Sequence, residues 1–477
     1  MASVKAYKVG EAGSPAFPAD FEILKKAVLQ VTDIKTNRNK YYAIELHKGG
    51  GSYRVFTHYG RTDDLENNPD AGAKECRFFD DALEAADSYE TIYREKTSAK
   101  KGYKELSLAS SKIGSQKSRG ASVGQVDDKT IAKIASQGSA GGVGPAKISA
   151  VSALPPAIQE LVSCVYSEAT NALTTTVAAK ITANGIETPL GVLTVGQIEL
   201  GERILEELFN LFQAKKNTQS EMERLSGEFY TAIPHRIGRT RTAINAAVID
   251  SMADFEAKQE TLQLMKDMLS VNGDASVLFD SKIDDQYRAL KCGLNVVDKS
   301  TAAFREMERF ILASQIKSQS IKVQNIYTVR RHHEWDAYDP KVGNERMLLH
   351  GSRITNWLGL LSRGILMPKL VVSMGIHRTD AGWLGSGIYF GDAACTSAYY
   401  TTPSKKGTRF MAVARVALGK TKPFQQITYG INEPPAGYDS CHGIRNTAKT
   451  PSQFADDEYV IYRTERQRIE ALVEFAN

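Results

Sequence analysis

The sequence predicts a multi-domain α+β protein with three parts: a small α+β module, an all-α helical bundle, and a mixed, mostly antiparallel β domain. Three observations predict it. A chain of 477 residues with 42% hydrophobic content is too long for one ordinary core, which points to two to four domains. A strand–turn–strand pattern near the N-terminus gives way to helical spacing between about residues 154 and 290. From residue 322 onward, short β-branched and aromatic segments alternate with Gly and Pro turns.

In the first module, residues 1–106, "YYAIELHKGGGSYRVFTHYGR" reads as two strands, 41–46 and 52–59, joined by a turn at Gly49, Gly50 and Gly51. "FEILKKAVLQVTDIKTN" supplies an earlier strand, "DALEAADSYETIYREKTSA" has helical spacing, and "KGYKEL" resumes an extended style. Residues 107–152 are rich in Ser, Gly, Ala and Lys. Such a composition buries too little apolar area to offset chain entropy, so a flexible linker is expected there.

Helices are expected over residues 153–290. "PPAIQELVSCVYSEATNAL" opens on prolines suited to a first turn, and Thr194 with Gln197 and Ser220 with Glu223 have capping-box spacing. Further helices fit 196–215, 221–233 and 242–270, with "NGIETPLG" as a loop. Residues 291–477 form the β domain, from "IKVQNIYTVRR" to "DDEYVIYRTERQRIEALVEF".

No run of 18 apolar residues is present, and "MASVKAYKVG" lacks the apolar core of a signal peptide, so an intracellular protein with no membrane partner is expected. The five cysteines are widely spaced without C-x-x-C, which favours reduced thiols over disulfides or a zinc ribbon. His332–His333 and Cys441–His442 are read as structural or surface features, and no metal is expected. The first 62 residues carry ten Lys or Arg against five acids, a local net charge of +5, mildly favourable to phosphate. A solvated basic surface would look the same.

The stretch "GWLGSGIYFGDAACTSAYY", 382–400, spaces its glycines as G-x-x-G-x-G and leads into a strand-like segment. A dinucleotide-binding fingerprint would instead close a strand and open a helix. Taken with "LLHGSR" (348–353) and "DDEYVIY" (456–462), it resembles the catalytic signature of the poly(ADP-ribose) polymerases, with a His, a Tyr and a Glu in the family's order. "YYAIELHKGGGSYRVFTHYGR" is similar to the WGR domain of that family, and "TPLGVLTVGQI" and "LSGEFYTAIPH" are similar to its helical regulatory domain. The catalytic loops "HRTDAGWLGSGIYF" and "PPAGYDSCHG" look most like the vault-associated branch.

The resemblance implies NAD+ as co-substrate and the catalytic set Glu458, His350 and Tyr389. By it, Glu458 holds the nicotinamide ribose and polarises the acceptor, His350 binds the adenine ribose, and Gly351 lets its backbone pair with the carboxamide. Tyr389 and Tyr400 would sandwich the nicotinamide ring while Ser397 binds its amide, with Ser352 and Asp267 as further NAD contacts. Tyr59, Gly60 and Arg61, with tyrosine in the family's tryptophan place, would meet DNA, although Arg61 could equally touch other domains. Met367 to Ala381 would cover NAD.

The activity so implied is that of a DNA-break-activated poly(ADP-ribose) polymerase in DNA repair. It would modify protein acceptors, itself included, after DNA loosens the helical domain. The expected location is the nucleus of a eukaryote or the cytoplasm and nucleoid of a bacterium. A mono-ADP-ribosyltransferase indifferent to DNA and a nucleic-acid-binding scaffold with a silent transferase domain are the alternatives. Without the other motifs, "DDE" would read as a surface acidic run.

Overall fold

The structure, a computed structural model, describes residues 4–66, 68–124, 152–177, 180–182, 185–235, 237–271, 283–316, 320–367 and 382–477. It divides into two compact units: residues 1–148 with 173–279, and residues 149–172 with 280–477.

In the first unit, an antiparallel sheet runs in the order β1–β5–β4–β3–β2–β6. Its strands are β1 (Tyr7–Lys8), β2 (Glu22–Asp33), β3 (Arg38–Gly49), β4 (Ser52–Arg61), β5 (Ala73–Phe79) and β6 (Lys104–Glu105). The expected hairpin is β3–β4. Gly49 pairs with Ser52, so Gly50 and Gly51 alone make the turn, at φ of 56° and 89°, the twist a two-residue hairpin requires. Helix Ala82–Thr97 starts where the Asp81 side chain accepts from the Leu83 and Glu84 amides. It lays Ala85 and Tyr89 on Leu29, Ile44 and Val55.

Residues 107–124 depart from the expected linker. β7 (Leu108–Ser111) joins β8 (Lys180–Thr182), β9 (Gly185–Glu187) and β10 (Gly191–Leu193) in a sheet of order β7–β10–β9–β8. The hairpin of β9 and β10 replaces much of the loop read in "NGIETPLG". The turn after β7 is held by the buried carboxylate of Glu45, which accepts from the Ser115 amide at 2.8 Å and from the Ser115 and Ser118 hydroxyls. Serine and glycine here supply donors and close approach, because a Cβ on Gly114 would sit 2.1 Å from Glu45 Oε1. The rest of the expected linker, 125–151, lies outside the described residues.

Helix Val195–Gln213 is capped as expected, with the Gln197 amide donating to Thr194 Oγ1 at 3.2 Å. Helix Gln219–Ala232 is capped by Thr218, which accepts from the Glu221 amide, and Ser220 lies inside it. The helix expected over 242–270 is two, Arg241–Asn245 and Met252–Val271. Ser251 divides them, accepting from the Asp254 amide at 3.1 Å as a new N-cap.

The second unit holds most of helix Pro156–Val177 and a nine-stranded sheet, β11–β12–β19–β15–β13–β14–β18–β17–β16. These strands are β11 (Gly293–Val296), β12 (Lys322–Arg330), β13 (Glu345–Gly351), β14 (Ile388–Gly391), β15 (Arg409–Ala417), β16 (Thr421–Phe424), β17 (Ser440–Gly443), β18 (Glu458–Ile461) and β19 (Gln467–Ala476). All neighbours are antiparallel except β16 and β17. Phe304 and Ile311 of helix Ala302–Ala313 close one face over Met411, Val413, Val473 and Phe475.

Candidate active site

Strand order decides what meets in the middle of this sheet. β14 lies between β13 and β18, and Gly391 is the register partner of both Leu349 and Glu458. This brings "LLHG", "IYFG" and "DDE" to one cavity of about 380 Å³, within the roughly 300–1,000 Å³ of small-ligand pockets. Its wall includes His350, Gly351, Tyr389, Ser397, Tyr400 and Glu458. Gly382, Trp383, Phe390, Thr396 and Leu349 complete it beside Gly391.

Glycine is required where the sequence has it. A Cβ on Gly351 would lie 1.8 Å from the Ser397 carbonyl oxygen, and one on Gly382, at φ 45°, would lie 2.1 Å from the Tyr389 ring. The backbone of β13 thus touches the helix Ala394–Tyr399 that presents Ser397. Tyr389 is pinned at both ends. Its hydroxyl accepts from the Leu384 amide at 2.9 Å and donates to Gly385 O at 2.7 Å, and its carbonyl faces His350 Nδ1 at 2.9 Å.

That carbonyl can only accept, so Nδ1 of His350 carries a proton. Burial holds the imidazole below its usual pKa, against the pull of the Tyr389 carbonyl. The neutral ring therefore offers Nε2 as an acceptor, which suits a ribose hydroxyl. Glu458 is shifted the other way. Burial, then the charge of Asp456, raises its carboxyl to about 7, the range in which a carboxylate serves as general base near neutral pH. Burial also raises the Tyr389 phenol, so it stays neutral.

The other expected residues are not among those that line this cavity. Ser352 lies off the cavity wall, its hydroxyl accepting from Asn356 Nδ2 at 3.1 Å. Asp267, on helix Met252–Val271, belongs to the first unit and accepts from Gln263 Nε2 at 2.8 Å. Residues 368–381, most of the expected NAD cover, lie outside the described residues. Tyr59 stacks on Tyr42 at 5.3 Å and donates to Glu75 Oε1 at 2.7 Å, while Gly60 lies close to Tyr41 and Gly72. Arg61 donates to Asn37 O and Asp63 Oδ2, both at 3.0 Å, and to Gly238 O at 3.5 Å. Its guanidinium thus engages the segment after helix Gln219–Ala232.

The sequence reading missed Trp383, Thr396 and the acidic neighbours of Glu458. "DDE" is no solvated run, since Asp456 is 6% exposed. His332 and His333 sit in helix His332–Ala337, and His442 Nε2 donates to Asp457 Oδ1 at 2.6 Å.

Compared with known proteins, residues 301–477 match the poly(ADP-ribose) polymerase catalytic domain, 152–287 its regulatory domain, and 25–109 the WGR domain. The chain belongs to the poly(ADP-ribose) polymerase family. Its C-terminal part is an ADP-ribosyltransferase domain, the kind of domain for which NAD+ is the co-substrate. The human protein mono-ADP-ribosyltransferase PARP4 is 32% identical over 68% of this chain, which spans only 18% of that relative. The mouse protein mono-ADP-ribosyltransferase PARP3 is 24% identical over 94% of this chain and 87% of its own length. A Drosophila melanogaster poly [ADP-ribose] polymerase is 26% identical over 89% of this chain and 41% of its own.

Proposed function

We propose that this protein is a DNA-break-activated poly(ADP-ribose) polymerase that cleaves NAD+, releases nicotinamide, and transfers ADP-ribose to protein acceptors, itself included, and to growing chains. The observation that carries this is the Glu458 carboxylate in one cavity with His350 and Tyr389. Nicotinamide departs with the electron pair of its glycosidic bond, leaving positive charge on the ribose C1′. A carboxylate beside that carbon stabilises the charge. The acceptor oxygen then bonds to C1′ and its proton passes to Glu458, whose pKa near 7 fits that duty.

Gly351 admits the carboxamide to its backbone, Tyr389 and Tyr400 supply ring faces, and Ser397 orients the amide. The WGR match supports DNA as the activating partner, and such a gate requires DNA to bind the competent arrangement preferentially. In a eukaryotic host the reading places the protein in the nucleus, in DNA repair; in a bacterium, in the cytoplasm and nucleoid.

One observation favours a second reading, single-unit transfer: two of the relatives are named mono-ADP-ribosyltransferases. Labelled NAD+ with and without nicked DNA, products resolved by size, separates the two. DNA-stimulated ladders support the polymerase, and single units formed without DNA refute it.

A further inference from the structure

The strand end that delivers Glu458 is crowded by carboxylates. Asp456 and Asp457 precede it in the chain, and Asp392 follows Gly391, the register partner of Glu458 on β14. On the other side, Glu458 pairs with Gly443 of β17, and two residues beyond stands Arg445. Its Nη2 donates to Asp392 Oδ1 at 2.6 Å, and its backbone amide donates to Asp457 Oδ1 at 3.1 Å. Nη1 lies 3.5 Å from Asp457 Oδ2, and Nε lies 3.6 Å from Asp456 Oδ1. One guanidinium, 22% exposed, therefore joins the segments that follow β14 and β17 to the segment that begins β18.

This network reaches the cavity directly. The Thr396 hydroxyl, on the cavity wall, donates to Asp456 Oδ2. The titratable groups that share the cavity wall with Glu458 are His350 on β13, Tyr389 on β14 and Tyr400 after helix Ala394–Tyr399; His442 on β17 stacks on Tyr459 and is bonded to Asp457. His350 and the two tyrosines are neutral at working pH. The charge that opposes the Glu458 anion is that of Asp456, and Arg445 Nε approaches that carboxylate.

We propose that Arg445 is a positioning residue for the transfer reaction: it clamps Asp392, Asp456 and Asp457, fixing the start of β18 and offsetting the Asp456 carboxylate that opposes the Glu458 anion. This rests on the reading of Glu458 as the reacting carboxylate. Without the guanidinium, the uncompensated Asp456 charge favours a protonated Glu458, and transfer should fail first at the acid end of its pH range. Substrate contacts stay in place, because Arg445 is not on the cavity wall.

The test uses the full chain, with nicotinamide release and ADP-ribose incorporation followed from pH 6 to 9 for wild type, Arg445→Gln, Arg445→Lys and Asp456→Asn, beside Glu458→Gln. For Arg445→Gln the acid limb of kcat should move up by about one pH unit, close to a tenfold loss below that limb, with KM for NAD+ changed less than twofold. Arg445→Lys should restore most of the profile, and Asp456→Asn should move the limb down. If Arg445→Gln fails to fold, the downward shift in Asp456→Asn, beside a smaller upward shift in Arg445→Lys, still decides. Wild-type pH profiles in Arg445→Gln and Asp456→Asn, with Glu458→Gln inactive, overturn this inference alone. Wild-type transfer by Glu458→Gln overturns it together with the reading of the site.

Discussion

Replacing Glu458 by glutamine should make the protein more stable above pH 7 while removing transfer. The carboxyl has its ordinary pKa near 4.5 in the unfolded chain and about 7 in the native one. Below pH 4.5 it is protonated in both states, and glutamine mimics it. Above pH 7 the native protein must hold a carboxylate where burial and Asp456 oppose the charge, so the stability present at low pH is lost. At about 1.4 kcal/mol per tenfold the ceiling is roughly 3 kcal/mol; water entering the cavity mouth lowers the expected gain to about 1–2 kcal/mol. For a domain of this size that is a Tm increase of about 2–8 °C. Thermal melts at pH 8 and pH 4.5 measure it. A Tm gain of equal size at both pH values, or none at pH 8, would refute the reasoning.

Gly351→Ala should raise KM for NAD+ at least tenfold and cost about 1–3 kcal/mol, because its Cβ meets the Ser397 carbonyl at 1.8 Å; initial rates and denaturant unfolding check both. Glu45→Ala should destabilise the first unit by about 3–5 kcal/mol, since His47, Ser115 and Ser118 lose their shared acceptor, and amide exchange at residues 111–120 should accelerate. Burial works to raise the Glu45 pKa, but those bonds outweigh it and hold it below the usual range. Its stabilisation is therefore present at neutral pH and lost in acid, a dependence that Glu45→Gln should remove. Thr194→Ala removes an N-cap and should cost about 1 kcal/mol in urea unfolding.

The cavity wall was legible because its residues sit in short contiguous motifs: "HG" at 350–351, "YF" at 389–390 and the glutamate of "DDE" all reach one cavity after folding. The clamp was not. Arg445 meets Asp392 across 53 positions of sequence, and only the placement of β14, β18 and β17 as neighbours brings them together. Residues 107–124 misled for a related reason. Ser and Gly read as flexible until a distant buried carboxylate, Glu45, gives them bonds to make. The break before Met252 shows the limit of periodicity, since apolar spacing continues through Ser251 while a local serine cap restarts the helix. Arg61, whose motif left both DNA and other domains open as partners, bonds in this structure to Asn37, Asp63 and Gly238.

The central claim is that Glu458, His350 and Tyr389 form the centre that transfers ADP-ribose from NAD+. Incorporation of labelled NAD+ by the purified chain, in the presence of nicked double-stranded DNA and beside Glu458→Gln, tests it most directly. The account predicts DNA-stimulated ladders from the wild type, and chain growth reduced by at least roughly a hundredfold in the variant. Ladders of equal length and rate from both proteins, or no NAD+ consumed by either, would contradict it.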